Sequence, residues 1–334
     1  MRSHRHFCET RQSHTNGVSI VVTHLPSWPI PRASGGPHVV SIGTFDGVHL
    51  GHQYLLECAL VRAAHLGLPL LVVTFEPNPA QVIRPDRFRG RLNTPAQKLD
   101  RLRAAGAREI VVVPFTEKLM HESPETFLGH LVAVTDPVEL WVGEEFALGH
   151  NRSGDIARLT EIAGELGFVL RAVTRRESGG QVVSSSRIRQ HVLDALAEEA
   201  ERLLGYPYRI SGEVIKGAQI GRTIGFPTAN VVPPTDLVPV PDGIYATLAT
   251  IEGGDRAMDA MTYIGTRPAL NTGERLIETN ILDFSGDLYG QIIHCDFLRR
   301  LRPDATFDSV DVLVKQLKSD EMDARLVLAS YHNR

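Results

Sequence analysis

A chain of 334 residues that is 43% hydrophobic and 22% charged has the make-up of a globular protein, too long for one ordinary core and about right for two. Lys plus Arg number 35 against 39 Asp plus Glu, a formal charge of -4 with no basic run, which points away from nucleic-acid phosphates and toward small-molecule substrates. The longest apolar runs, such as Leu68 to Phe75, fall far short of a bilayer span, so no membrane partner is expected.

Residues 1–37 are rich in His, Ser, Thr and Pro without a sustained apolar period, and Val18 to Val22 is too short and badly placed for a signal peptide. They are read as a poorly ordered extension, which a mis-assigned start codon would also produce. The three cysteines, Cys8, Cys58 and Cys295, are far apart and show neither CxxC nor His-paired metal spacing, as expected of reduced thiols in the cytoplasm.

From Val39 onward, short β-branched runs alternate with helical patterns: Val39 to Ile42, Leu70 to Phe75, Ile110 to Phe115, Val138 to Val142 and Phe168 to Val173. That rhythm predicts a doubly wound parallel α/β sheet over residues 38–204. Between the first two runs, Leu55, Leu56, Ala59, Leu60, Ala63 and Leu66 share one helical face until Gly67 and Pro69 stop it. Ser123, Pro124 and Glu125 provide a cap, a first-turn proline and a first-turn acid for another helix. Residues 186–204 read as helix with a break near Asp194, ending at Gly205, and the domain boundary is placed there.

Over residues 205–334 the texture changes. Alternating runs such as Tyr208 to Ile215, Ile244 to Ile251 and Ile277 to Phe284, separated by Gly, Pro and Asp, predict an antiparallel β domain. A terminal helix capped by Asp308 or Ser309 closes the chain, with Val310, Leu313, Val314 and Leu317 on one face and Leu326 and Leu328 further on.

Two segments carry chemistry. The first, GTFDGVHLGH from Gly43 to His52, lies between the first strand and its helix, the ligand-binding end of a parallel strand. Gly43, Gly47 and Gly51 permit tight turns and close backbone approach, and the helix N-terminus offers free N–H groups to phosphate. Phe45 and Asp46 belong to the same turn. His49 and His52, with Gly51 between them, can both point at one triphosphate and stabilise oxygens that gain charge in a displacement at phosphorus. Zinc is rejected because no third ligand is evident. Downstream, Ser185 and Arg187 belong to a hydroxyl-rich helix start suited to the β- and γ-phosphates of ATP, or equally to an ordinary cap with solvated arginines.

The second segment, GAQIGRTIGFPTAN from Gly217 to Asn230, places Gly217, Gly221, Arg222, Gly225 and Pro227 in a loop that suggests a phosphate cradle. No Gly-Lys-Ser/Thr follows and no HRD or DFG segment exists, which excludes a Walker A loop and a protein kinase. Thr228 and Asn230 are two apart, so an extended backbone turns both oxygens to one side, toward Mg²⁺ or phosphate; a plain Pro-Thr turn is the other reading. Glu278 is a carboxylate that could take the proton of a primary alcohol during attack on a γ-phosphorus, although a lone Glu on a strand is more often solvated.

The HxGH pattern resembles the nucleotidyltransferase superfamily, and the run GTFDGVHLGHQYLL is similar to the N-terminal module of bacterial bifunctional riboflavin kinase/FMN adenylyltransferases. Thr74-Phe75-Glu76-Pro77, the loop from Gly143 to Gly154 and Val183 to Arg189 follow in the family's order. Gly217 to Asn230, Asp242 to Ala246, Ile264 to Pro268, Glu278 to Gly290, Leu301-Arg302 and the last helix resemble the kinase module of the same family. The resemblance implies a Rossmann-like domain and a C-terminal β-barrel, with riboflavin, FMN and ATP as substrates and Mg²⁺ as cofactor. In its terms the first turn binds ATP while FMN phosphate attacks the α-phosphorus, Thr228 and Asn230 serve metal and phosphates, and Glu278 is the catalytic base. Departures occur at Thr44, Asn78 and Glu145 to Leu148, which bear on the flavin ring more than on ATP, and at Asn280 and Ala269-Leu270. A kinase with a degenerate adenylyltransferase half, or a flavin-binding regulator without turnover, are the competing readings.

Overall fold

The β-branched runs become strands because their alternating or wholly apolar side chains fit a pleated surface buried on one or both faces. A computed structural model describes residues 9–15, 18–30, 36–217, 219–266 and 275–334. Arg267-Pro268 and Ala269-Leu270 lie outside the described residues.

In chain order the first compact unit contains β1 (Glu9–Thr15), β2 (Val18–His24), β3 (His38–Ile42), α1 (Leu50–Leu66), β4 (Leu70–Glu76), α2 (Pro79–Ile83), α3 (Pro95–Ala104), β5 (Glu109–Pro114), α4 (Glu117–Met120), α5 (Pro124–Thr135), β6 (Pro137–Gly143), α6 (Ile156–Glu165) and β7 (Val169–Val173), then the small hairpin of β8 (Glu177–Ser178) and β9 (Gln181–Val182). Its sheet runs β1-β2-β5-β4-β3-β6-β7, parallel throughout except for β1. One apolar cluster gathers Leu56 and Ala59 of α1 against one face, and another gathers Leu128 of α5 and Leu159 of α6 against the other, so the sheet is doubly wound. From β3 the chain builds outward to β4 and β5 on one side and then to β6 and β7 on the other. The crevice where the order reverses is therefore at the carboxyl ends of β3 and β6.

The expectation of a poorly ordered extension is corrected for much of residues 1–37. Val21 to His24 pair in parallel with Glu109 to Val112, Val22 and Leu25 are buried, and Trp28 stacks on Phe127 with ring centroids 5.2 Å apart. The physical reason is an open edge at β5 with an apolar surface to cover, which this segment pairs and buries.

The second unit comprises residues 185–334 together with Arg89–Leu92. Its elements are α7 (Ser185–Leu193), α8 (Ala197–Leu204), β10 (Tyr208–Ile215), α9 (Ile220–Thr223), β11 (Ala229–Val231), β12 (Gly243–Ile251), β13 (Met258–Thr266), β14 (Arg275–Ile281), β15 (Ile292–Pro303) and α10 (Val310–His332). The compact units divide at Ser184/Ser185, some twenty residues before the boundary read from the sequence, because α8 packs on β10 and β15, buries Leu203 and Leu204, and joins Glu198 to Arg299 at 2.9 Å.

The six strands close into an antiparallel barrel in the order β10-β11-β14-β13-β12-β15. Inside, Thr247, Thr262 and Thr279 are linked at 2.8 and 3.0 Å, and Thr279 reaches Cys295 Sγ at 3.2 Å, so the buried hydroxyls satisfy one another. Outside, Ala324 and Leu328 of α10 pack on Ile244, Ala246, Leu248 and Met261. Arg302 clamps Asp320 of that helix through Nε at 2.9 Å and Nη2 at 2.8 Å. Ser309, not Asp308, caps α10, and Val310 and Leu326 are exposed rather than on its buried face. Among the described residues no helix is long and apolar enough to cross a membrane.

Candidate active sites

At the carboxyl end of β3 the chain reverses through a left-handed run: Phe45 (φ 50°), Gly47 (φ 80°) and Val48 (φ 33°). Phe45 and Val48 are fully buried beneath the turn, and Asp46 is buried with them. Such a conformation is strained for a β-branched residue and persists only where packing over-determines it, a pattern that clusters at ligand sites. Thr74 Oγ1 on the neighbouring strand donates to the Thr44 carbonyl at 3.2 Å and ties the turn to β4.

His49 is the N-cap of α1, its Nδ1 accepting from the His52 backbone N–H at 3.4 Å. The two imidazoles stack with centroids 3.7 Å apart and planes within 17°, and the Phe45 ring meets His52 edge-on at 5.2 Å. A Cβ on Gly51 would lie 3.2 Å from the His49 ring and 3.7 Å from the Val183 carbonyl, so this glycine gives the imidazole its place and the end of β9 runs beside it. Burial, and then the proximity of His49, hold the His52 imidazole well below its usual range, so it is neutral at pH 7. Its Nδ1 is buried without a hydrogen-bond partner among the described residues. A stacked ring pair at a helix N-terminus, one ring with an unused nitrogen, is arranged to meet an anion.

Of the other residues expected here, Gly43, Phe45, Asp46, Gly47 and Gly51 assemble with the histidines, whereas Ser185 and Arg187 open α7 in the second unit.

Local reading of the sequence missed a cavity of about 610 Å³ in the first unit. Ile42 and Thr44 from the turn region, Phe75 from β4, Pro79, Ala80 and Ile83 from α2, Phe115, and the loop from Phe146 to Arg152 line it. The walls are apolar and aromatic, with Arg84, His150, Asn151 and Arg152 as polar groups. The size and lining suit a planar aromatic ligand carrying an anionic tail. The signal for it was dispersed: Phe75 near the end of a strand, and a Gly143 to Gly154 loop whose Gly149, Asn151 and Arg152 all have positive φ. Asn78, in one of the divergent positions, accepts from the Ala80 N–H at 3.0 Å and caps α2, a wall of the cavity.

In the barrel, Asn230 of β11 stands directly opposite Glu278 of β14, and Tyr263 of β13 stands opposite Glu278 on its other side. Since Thr279 points inward, Glu278 and Asn280 face outward by the two-residue alternation, and Asn230 shares their face. Both Glu278 (7% exposed) and Asn230 (8%) are nonetheless buried. A Cβ on Gly217 would sit 2.6 to 2.8 Å from the three outer atoms of Asn230, so any larger residue there would have to push that amide aside. A Cβ on Gly221 would strike the Phe226 carbonyl at 2.2 Å, and Phe226 N–H donates to the Gly221 carbonyl at 2.8 Å, which closes the loop on itself around α9.

Asn280 Nδ2 donates to the Pro227 carbonyl at 2.6 Å, fastening the loop's end to β14. Thr228 is half-buried just before β11, and its carbonyl accepts from Asn230 Nδ2 at 3.4 Å. Gly225 takes φ 85°, and Arg222 and Pro227 are exposed on the loop. Of the sequence-read set, Gly217, Asn230 and Glu278 are thus brought together, while Arg222, Gly225 and Pro227 lie exposed on the loop. No group of three His, Cys, Asp or Glu capable of holding a metal occurs among the described residues.

The FAD synthetase family model matches residues 32–187 and the riboflavin kinase family model matches residues 204–328. A protein of Escherichia coli K12 named bifunctional riboflavin kinase/FMN adenylyltransferase is 35% identical over 86% of this chain and 91% of its own length. One of the same name from Bacillus subtilis is 32% identical over 86% and 91%. A solved Streptococcus pneumoniae structure, titled a macrolide-efflux protein, superposes with a TM-score of 0.81 at 29% identity over 91% of this chain and 98% of that one. With both family models matched in order and relatives of 32–35% identity over 86% of the chain, this chain belongs to the bifunctional riboflavin kinase/FMN adenylyltransferase family.

Proposed function

We propose that the chain performs both reactions of its relatives: phosphorylation of riboflavin to FMN in the barrel, and adenylylation of FMN to FAD at the HxGH turn. The adenylyltransferase assignment is carried by the stacked His49–His52 pair, with His52 held neutral by burial, at the switch point of the sheet. In that site the triphosphate lies on the N-terminus of α1, and a phosphate oxygen of FMN attacks the α-phosphorus. The new P–O bond forms as the bond to pyrophosphate breaks. His49 and His52 hydrogen-bond the oxygens that gain charge, which works best in a pre-organised, partly dry site. The cavity lined by Phe75, Phe115 and Leu148 takes the isoalloxazine, and Arg152 or Arg84 its phosphate.

In the barrel, Glu278 accepts the proton of the riboflavin primary alcohol as that oxygen bonds to the γ-phosphorus and ADP departs. The Gly217–Pro227 loop, with Arg222, cradles the phosphates. Thr228 and Asn230 supply neutral hard oxygen donors, and the absence of a Cβ at Gly217 leaves the Asn230 amide its room. That donor set fits Mg²⁺, which commonly takes one or two protein oxygens plus substrate phosphates. When bound there, Mg²⁺ would neutralise phosphoryl charge. Riboflavin, FMN and ATP are then the partners, with no nucleic acid or membrane required. The free thiols of Cys58 and Cys295 fit a cytoplasmic setting.

Product chromatography tests the proposal. Incubation with riboflavin, ATP and Mg²⁺, and separately with FMN, ATP and Mg²⁺, gives FAD in both. FMN from the first with no FAD from the second would leave only the kinase, and no product in either would leave a flavin-binding protein without turnover.

A further inference from the structure

Lys98 is a buried cation that neither reaction uses directly. It is 7% exposed, in the first turn of α3, and the start of that helix is fixed by a reciprocal capping box: Thr94 Oγ1 accepts from Gln97 N–H at 3.2 Å and Gln97 Oε1 accepts from Thr94 N–H at 3.0 Å. Its Nζ donates to the Phe75 carbonyl at 2.8 Å and lies 3.5 Å from Glu76 Oε2.

Backbone accounting at the end of β4 shows why a donor is needed there. The Glu76 carbonyl faces β5 and accepts from Phe115 N–H at 3.0 Å, while the Val73 carbonyl faces β3 and accepts from Gly43 N–H at 3.1 Å. Phe75 lies one residue from Glu76 and two from Val73, so its carbonyl also faces the β3 side. Pairing of β3 with β4 stops at Ile42 and Val73, because β3 turns away at Gly43 to make the HxGH loop. The Phe75 carbonyl is therefore left beyond the last ladder bond in a buried place, and the lysine ammonium satisfies it.

Burying an ammonium is costly unless it is paired, so this is an expensive way to end a strand. What it fixes explains the choice. Phe75 lines the 610 Å³ cavity, Glu76 follows it, and two residues later Asn78 caps α2, whose Pro79, Ala80 and Ile83 line the same wall. We propose that Lys98 is a positioning residue for adenylylation. Its ammonium holds Phe75 and the root of α2 as the wall against which the flavin ring is seated, without touching the reacting atoms. This rests on FMN occupying that cavity.

The experiment compares Lys98→Met, which keeps the stem and removes the charge, with Lys98→Arg, which keeps it. The full-length chain is used, with KM for FMN and for ATP measured in FAD formation and riboflavin phosphorylation assayed on the same preparation. Lys98→Met raises KM for FMN by roughly tenfold or more, on the scale of one charge-assisted hydrogen bond, leaves KM for ATP within about twofold, and leaves the kinase rate unchanged. Lys98→Arg recovers part of the FMN affinity. FMN binding followed by quenching of flavin fluorescence moves in parallel.

An unchanged KM for FMN in Lys98→Met, or an equal rise in both KM values that Lys98→Arg does not relieve, overturns the positioning role while leaving the FMN site intact. A wild-type chain that phosphorylates riboflavin but makes no FAD overturns the site reading itself, and the Lys98 role with it. Should Lys98→Met fail to fold, Glu76→Gln, which removes the partner carboxylate at the partly exposed end of the network, must show the same selective rise in KM for FMN.

Discussion

Replacing Gly217 by alanine perturbs the kinase site through one methyl group. The new Cβ would stand 2.6 Å from Asn230 Nδ2, 2.7 Å from Cγ and 2.8 Å from Oδ1, whereas ordinary van der Waals contact begins near 3.4 Å. Asn230 must then retreat by about 0.8 Å. It has little room to do so, because it is 8% exposed and faces Glu278 directly across the β11–β14 ladder. A displacement approaching 1 Å in a group that positions the transferring phosphoryl lowers kcat roughly a hundredfold. The assay is riboflavin-dependent ADP release, with FAD formation from FMN as the internal control, since the HxGH turn belongs to a different compact unit. A Gly217→Ala chain whose kinase kcat stays within about threefold of wild type would refute the reasoning, for it would show that Asn230 does not position the transfer. Loss of both activities together would point to misfolding instead of local displacement.

Glu278→Gln keeps shape and removes basicity, so kinase kcat falls roughly 10²- to 10⁴-fold with FAD formation from FMN unaffected; a smaller loss in a steady-state kinase assay would mean the alcohol proton goes elsewhere. His52 has a folded-state pKa depressed below its ordinary 6.5, so the stability from its neutral form is fully present above about pH 6.5 and is lost as pH falls below that toward the lower folded value. Melting of the wild-type chain therefore drops more steeply on acidification than melting of His52→Gln, and parallel pH profiles in differential scanning fluorimetry would contradict this. Asp320→Ala leaves Arg302 half of a buried pair, Asp320 being 1% exposed, and destabilises the barrel unit by about 3–5 kcal/mol in chemical denaturation; a loss below about 1 kcal/mol would mean that water reaches the guanidinium.

Both candidate sites are legible in the sequence where their residues are local in the chain. His49, Gly51 and His52 sit within one turn of helix, and Gly217 to Asn230 is one short stretch of chain, so spacing narrows which groups can meet. What escaped was assembled from distant segments. The cavity beside the HxGH turn draws on Thr44, Phe75, Ile83, Phe115 and Arg152, whose family resemblance marks some of their segments but whose spacing does not show that they meet. Strand β2 escaped for a related reason: Val18 to Val22 is a β-branched run too short to stand out, and its partner Glu109 to Val112 lies far along the chain. Helix α3 is strongly polar, so its apolar period is weak and only Thr94-Pro95 and Gln97 mark its start. The partner of Glu278 became visible only once strand register was known, because alternation predicts a face but not which residue lies opposite.

The two sites, on unrelated folds, solve one packing problem in the same way. Each sets a short polar side chain close against a glycine: a methyl group on Gly51 would press on the His49 ring at 3.2 Å, and one on Gly217 would strike the Asn230 amide at 2.6 Å. Glycine in a first helical turn or beside a strand carries an entropic penalty of about 0.5–1 kcal/mol relative to alanine. Fold stability alone would therefore favour a larger residue at position 51, where φ is not positive and alanine is sterically close to acceptable. That both positions remain glycine beside polar groups with phosphate chemistry assigned to them follows if the constraint is positional accuracy. An imidazole or an amide that must meet a phosphoryl oxygen to within a fraction of an ångström is seated by removing the atoms that would push it away.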